Sequence, residues 1–219
     1  MKVLIIHAHP EPKSFTSALK DLAVKHFQDK GHIVKVKDLY AMKFDPIGIE
    51  KDFKKVSDIV HFSYLREQMF AFKTDGYTDE LKLEMNDLEE ADFVLMNFPL
   101  WWSSMPAILK GWWDRVAALG FAYHPKDQLY ETGIFRGKKA MCCISTGGSQ
   151  EAYSEGGANG DIYKVIYHIN HGLLYYLGMD VFPPFFAWKA HLVDETTLKG
   201  YLEDYKKHLE NLETFKPLY

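Results

Sequence analysis

Three short stretches of the chain combine residue types that can do chemistry at close quarters. The first runs His7-Ala8-His9-Pro10-Glu11-Pro12-Lys13-Ser14 and continues into Phe15 and Thr16. Ser14 or Thr16 suits the cap of a helical pattern that begins here. Backbone N–H groups and the helix dipole at such a place attract phosphate, and His9 can donate a hydrogen bond to a phosphate oxygen. A capped helix start beside a solvated histidine is the plainer alternative. The second stretch is Pro99-Leu100-Trp101-Trp102-Ser103-Ser104-Met105-Pro106. Two tryptophans on a loop are costly to leave in water. They either pack inward or stack on a flat ligand, of which an isoalloxazine ring is an example. The third is Thr146-Gly147-Gly148-Ser149, followed by Tyr153 and by Gly156-Gly157-Ala158-Asn159-Gly160. Paired glycines let a backbone approach a ligand face closely, and they also make ordinary turns. Hydride arriving on a flavin places negative charge near the pyrimidine end of its ring. The N–H groups of Gly147 and Gly148, with the Tyr153 phenol, are donors of the kind that stabilise such charge.

The elements that must position these stretches read as alternating strands and helices. Val3–His7 is a continuous apolar run, as expected for a strand buried on both faces. A helical pattern follows over Phe15–Lys30 and stops at Gly31, and Ile33–Val36 reads as a second strand. Residues 40–83 are less regular and read as a surface excursion with short helices, within a single domain spanning residues 1–219. Ala91–Phe98 is a third strand ended by Pro99. Pro106 fits the first position of a helix over Pro106–Ala118. Lys138–Ser145, a helix over Asp161–Leu177, a strand over Met179–Phe186 and a helix over Glu195–Leu212 complete the chain. Strands alternating with helices imply an α/β fold: a five-stranded parallel sheet with helices on both faces, in the flavodoxin-like order 2-1-3-4-5. A dinucleotide-binding domain of the Gly-x-Gly-x-x-Gly kind is disfavoured, because the turn after the first strand holds no glycine. In open α/β sheets ligands bind beyond the carboxyl ends of the strands, and all three stretches fall there.

Composition narrows the class. The 219 residues carry 26 lysines and arginines against 30 aspartates and glutamates, a net charge of −4. No basic patch dominates, which argues against a nucleic-acid partner. Cys142 and Cys143 are neighbours, so on a strand they point to opposite faces and do not bridge each other. They read as buried thiols of a reducing compartment. No run has the length of a membrane helix and no signal-peptide pattern opens the chain, so the cytoplasm is expected. The ten histidines include His168 and His171, three apart on one helix, but no spacing compels a metal site.

With these stretches in view the chain resembles the NAD(P)H:quinone oxidoreductase family, the flavodoxin-like group that includes the mammalian quinone reductases. The matching residues are Ala8-His9, Ser14-Phe15, Asp38–Met42, Phe98-Pro99-Leu100, Pro106–Trp112, Phe121-Ala122-Tyr123, Phe135-Arg136, Lys138-Lys139-Ala140, and Thr146–Ser149 with Tyr153. The resemblance implies a homodimer with two sites at the subunit interface and a tightly bound flavin, FAD rather than FMN. It implies ping-pong, two-electron transfer from NADH or NADPH to a quinone-like acceptor. Carried over by position, His9, Ser14, Phe15 and Thr16 would face the phosphates and ribityl chain. Pro99, Leu100, Trp101, Trp102 and Ser103 would line the ring, and Thr146, Gly147, Gly148 and Tyr153 would complete it. Trp102, Tyr123 and Tyr176 would form the substrate pocket, partly from the opposite subunit. Where the relatives pair the tyrosine with a histidine, this chain has Asn159. An asparagine donates a hydrogen bond but relays no proton at neutral pH, so Tyr153 and the loop N–H groups carry the charge largely alone. Pro125 stands where the pocket wall of the relatives has an aromatic residue, and the chain ends at Tyr219 without their long C-terminal extension. Two other roles share this fold: a regulatory subunit of a potassium efflux system, and an electron carrier like flavodoxin. Such carriers are strongly acidic, whereas this chain is mildly so.

Overall fold

A computed structural model describes residues 1–219. Its strands are β1 (Lys2–His7), β2 (Ile33–Asp38), β3 (Phe93–Pro99), β4 (Lys139–Ser145), β5 (Asp180–Val181) and β6 (Phe185–Ala187). The helices are α1 (Phe15–Asp29), α2 (Tyr64–Thr74), α3 (Asp79–Glu90), α4 (Ala107–Val116), α5 (Ile162–Val165), α6 (Tyr167–Ile169) and α7 (Glu195–Glu210). The sheet is parallel throughout, in the order β2-β1-β3-β4-β5, with β6 also paired to β4. This is the flavodoxin-like fold expected from the alternation of elements. No helix is long and apolar enough to cross a membrane.

Side chains alternate across the sheet and build a core on each face. Leu4 and Ile6 of β1 join Val94 and Met96 of β3 in one cluster, with Trp112 from α4. Val3 and Ile5 join Phe93 and Leu95 in the other, against Leu19, Ala23 and Phe27 of α1 and Tyr205 of α7. Cys142 and Cys143 are unbridged and fall on opposite faces, one in each cluster.

Three elements depart from the sequence reading. The expected fifth strand is two short ones, because Pro183 and Pro184 have no N–H to give the ladder against β4. Pro106 stands one residue outside α4 as its cap, with an extended ψ of 147°, so Ala107 is the first helical residue. The helix expected over Asp161–Leu177 is broken into α5, α6 and a wider π-type turn over Asn170–Tyr175, in which the Tyr176 N–H reaches back to the carbonyl of His171. His171 stacks on Tyr167 in this turn, ring centroids 4.5 Å apart.

The segment between β2 and α3 is more than a surface layer. Its Phe44, Phe53, Ala71 and Tyr77 are buried in the same cluster as Ile6 and Trp112. It is fastened to α4 through a buried ion pair, Arg115 Nη2 to Asp52 Oδ1 at 2.7 Å. The Tyr64 hydroxyl donates to the same carboxylate, and Arg115 Nη1 donates to the Asp45 carbonyl at 2.5 Å. Burial and the adjoining carboxylate push the Tyr64 phenol far above its ordinary value, so it stays protonated and able to donate.

Candidate active site

The carboxyl ends of β1, β3 and β4 bring the three stretches together. His7 is in register with Asn97, and Pro99 with Ser145. Beyond these pairs lies a cavity of about 460 Å³. The first loop contributes His9, Ser14, Phe15 and Thr16 to its wall, the second Pro99, Leu100 and Trp101, and the third Thr146 and Gly147. Ser145, Ala190 and His191 also line it. Sequence reasoning missed these three. Ser145 ends a strand and was within reach of the strand-end argument. Ala190 and His191 follow the short β6, which the proline pair concealed.

One end of the cavity is built for an anion. Ser14 caps α1, its side chain accepting from the Ser17 N–H at 3.1 Å. The N–H groups of Phe15 and Thr16 donate to no protein acceptor, as at any helix start. Thr16 Oγ1 and Ser145 Oγ are 2.7 Å apart and tie the start of α1 to the end of β4. The Glu11 N–H donates to His9 Nδ1 at 3.0 Å. That assignment leaves the neutral His9 ring with its proton on Nε2, free to donate outward. Burial holds the His9 imidazole below its ordinary value, and the Glu11 carbonyl and carboxylate only partly oppose this.

The second loop is a tight hairpin. Trp101 and Ser104 exchange backbone hydrogen bonds of 2.9 and 3.0 Å, and the two residues at its tip, Trp102 and Ser103, have φ of +50° and +58°. Positive φ is costly for side chains other than glycine and concentrates at functional sites. The Trp101 ring lies 6.3 Å from His9 at the cavity wall. The Trp102 side chain is wholly exposed, at 101%. The foot of the hairpin is fixed by Ser104 Oγ, 2.9 Å from His168 Nε2.

The third loop places Tyr153 and Asn159 against Gly148. A Cβ on Gly148 would fall 2.8 Å from Tyr153 Cε2 and 2.8 Å from Asn159 Nδ2, whereas one on Gly147 would meet only His191 Cε1 at 3.6 Å. Both glycine N–H groups lack a protein acceptor. The Tyr153 ring, 5.9 Å from Trp188, lines a separate cleft of about 350 Å³. Tyr123 and Tyr176 pair at 5.8 Å in a third hollow of about 690 Å³ with Met105 and Trp113. Within one chain, therefore, Trp102, Ser103, Gly148, Tyr153, Asn159, Tyr123 and Tyr176 stand off the wall of the first cavity.

Comparison with known proteins agrees with this architecture. A family model described as flavodoxin-like fold matches residues 1–209. NAD(P)H dehydrogenase [quinone] 1 of Cavia porcellus is 40% identical, over 100% of this chain and 79% of that protein. Ribosyldihydronicotinamide dehydrogenase [quinone] of Homo sapiens is 37% identical, over 99% of this chain and 94% of its own length. The crystal structure of a provisionally named quinone reductase of Klebsiella pneumoniae superposes with a TM-score of 0.95 at 38% identity, covering 100% of this chain and 87% of that one.

Proposed function

Since the chain belongs to the flavodoxin-like NAD(P)H:quinone oxidoreductase family, we propose that it reduces quinone-like acceptors with electrons from NADH or NADPH, in a ping-pong reaction at a flavin held in the 460 Å³ cavity. When bound, the flavin supplies a ring that takes up a hydride and gives it up again. The observation that carries this reading is the donor set of the cavity. Free N–H groups at the start of α1, the outward Nε2–H of His9 and the hydroxyls of Ser14 and Thr16 suit a phosphate. Trp101, Pro99 and Leu100 give a flat apolar wall beside it, and Gly147 leaves the opposite approach open.

The residues have separable tasks. Those at the α1 start bind and orient the phosphate. The Trp101–Ser104 hairpin, with Trp101 on the cavity wall, would exclude water from one edge of the ring. The Gly147 N–H on the cavity wall, with the Gly148 N–H and with the Tyr153 phenol from the separate cleft of about 350 Å³, would hold negative charge at the far edge. FAD is the flavin of this reading, as the resemblance to the mammalian quinone reductases implies. A homodimer is part of the same reading. Trp102 is fully exposed and Tyr123 and Tyr176 line a separate hollow in one chain, which a second copy can bring to the cavity of the first. Cytoplasmic operation follows from the same reading, and the buried free thiols suit a reducing compartment.

The test begins with the purified protein. Heat-released ligand should co-elute with FAD on reversed-phase chromatography. The yellow colour should bleach when NADH or NADPH is added without oxygen. Relatives named for ribosyldihydronicotinamide make that compound a useful third donor in the screen. A colourless protein that loads neither FAD nor FMN would contradict the reading.

A further inference from the structure

Beneath the cavity, at the ends of β1 and β2 and two residues short of the ends of β3 and β4, polar side chains form a row across the sheet. Asp38 of β2, His7 of β1, Asn97 of β3 and Cys143 of β4 are successive register partners. His7 and Asn97 are 1% and 0% exposed. His7 Nδ1 lies 2.6 Å from Asn97 Oδ1, and His7 Nε2 lies 3.2 Å from Ser17 Oγ on α1. Ser17 Oγ in turn lies 3.0 Å from the Ser14 hydroxyl and 3.1 Å from the Glu11 carbonyl. His7 is thereby connected through one buried hydroxyl to both the cap and the middle of the phosphate-facing loop.

The chemistry of these contacts is directional. The Asn97 oxygen accepts, so Nδ1 of His7 carries a proton. In a neutral ring Nε2 is then an acceptor, and the single Ser17 proton must choose between His7 Nε2 and the Glu11 carbonyl. Asn97 Nδ2 has no hydrogen-bond partner. A buried polar group left unpaired is costly, and the contact to His7 is the hydrogen bond that fixes the Asn97 oxygen. None of these three side chains lines the cavity.

We propose that His7, acting through Ser17 and steadied by Asn97, is a positioning residue that sets the β1–α1 loop in the shape that receives the flavin phosphate. The inference rests on the flavin reading above. Removing the imidazole leaves Ser17 free to turn, and with it the Ser14 hydroxyl and the Glu11 carbonyl. The loop then loses preorganisation, and binding must supply the ordering.

The test is FAD binding to apoprotein, read by quenching of flavin fluorescence, alongside thermal unfolding of the same samples. His7→Leu and Ser17→Ala should each weaken FAD binding about tenfold, the scale of one buried hydrogen bond. The double variant should be no weaker than the weaker single one, because both act through one contact. His7→Gln, which keeps an amide for Asn97 or Ser17, should recover part of the affinity. Should His7→Leu fail to fold, Ser17→Ala and His7→Gln still decide. Folded variants that lose thermal stability yet bind FAD as the wild type does would overturn the proposal. Wild-type protein that binds neither FAD nor FMN would instead overturn the functional reading on which it rests.

Discussion

Thr16 Oγ1 and Ser145 Oγ stand 2.7 Å apart, although 129 residues separate them in the chain. Both are buried. The contact joins the first turn of α1 to the last residue of β4, and so fixes the distance between two walls of the cavity. Thr16→Val keeps the shape of the side chain but strands the Ser145 hydroxyl. A loss of about 1–3 kcal/mol in unfolding free energy is expected, measurable by urea denaturation, together with weaker flavin retention during gel filtration. Unchanged values in both would show that the contact holds nothing.

Tyr153 is assigned to charge at the ring edge, not to holding the flavin. Tyr153→Phe should therefore keep flavin bound but slow its reduction by nicotinamide nucleotide. Loss of one hydrogen bond to developing charge costs about 1.5–3 kcal/mol, a slowing on the order of 10- to 100-fold. Anaerobic stopped-flow absorbance measures this directly, and an unchanged rate would remove Tyr153 from the chemistry.

The two glycines of the third loop should respond differently to alanine. At Gly148 the new methyl would press on the Tyr153 ring and the Asn159 amide, both at 2.8 Å. At Gly147 it would meet only His191, at an ordinary contact distance of 3.6 Å. Gly148→Ala should lower the melting temperature of the apoprotein by several degrees, on the order of 1–3 kcal/mol for overpacking. Gly147→Ala should leave it nearly unchanged.

Stability should fall on mild acidification. Burial holds the His7 imidazole below its ordinary value, reinforced by Lys20 of α1 and by His9, and only partly opposed by Asn97 and Asp38. Burial acts the same way on His208, whose ring donates to the Pro183 carbonyl at 3.0 Å. The unfolded chain then takes up protons first, near pH 6.5, and binds more of them than the folded chain down to the lowered folded value. Unfolding free energy therefore has its full value above about pH 6.5 and declines below it. Urea midpoints at pH 7.5 and 5.5 should show the decline, and His7→Leu should show less of it.

The cysteines should be silent. Burial pushes the Cys143 thiol up to about 12 and the Cys142 thiol higher still. Almost no thiolate exists at neutral pH, and both sulfurs are out of reach of solvent. A chromogenic disulfide reagent should titrate no thiol in the native protein and two after denaturation.

Much of this molecule was legible in its sequence. The apolar run Val3–His7, the cap at Ser14 and the alternation of strands with helices gave the sheet order. Positions beyond the carboxyl ends of β1, β3 and β4 gather His9, Ser14, Thr16, Pro99, Trp101 and Gly147 around one cavity. The parts that were not legible depend on contacts between distant residues. The cluster that buries Phe44 and Phe53 joins residues far apart in the chain, and the Arg115–Asp52 pair fastens the same segment to α4. The π-type turn at Asn170–Tyr175 arises where backbone hydrogen bonds such as Tyr176 N–H to the His171 carbonyl reach back five residues in an otherwise helical pattern. His7 ends an apolar run and reads as part of a buried strand. Only its register with Asn97 and its reach to Ser17 reveal the polar row beneath the loops.

In the reaction proposed above, one cavity passes electrons from a nicotinamide nucleotide through a flavin to a quinone. This transfer is tested most directly by running the two half-reactions separately in an anaerobic stopped-flow instrument. NADH or NADPH should bleach the flavin band in a single phase, and a soluble benzoquinone added afterwards should restore it fully, with parallel double-reciprocal lines in steady state. Bleaching by the nucleotide with no return of the band on adding quinone would contradict the account.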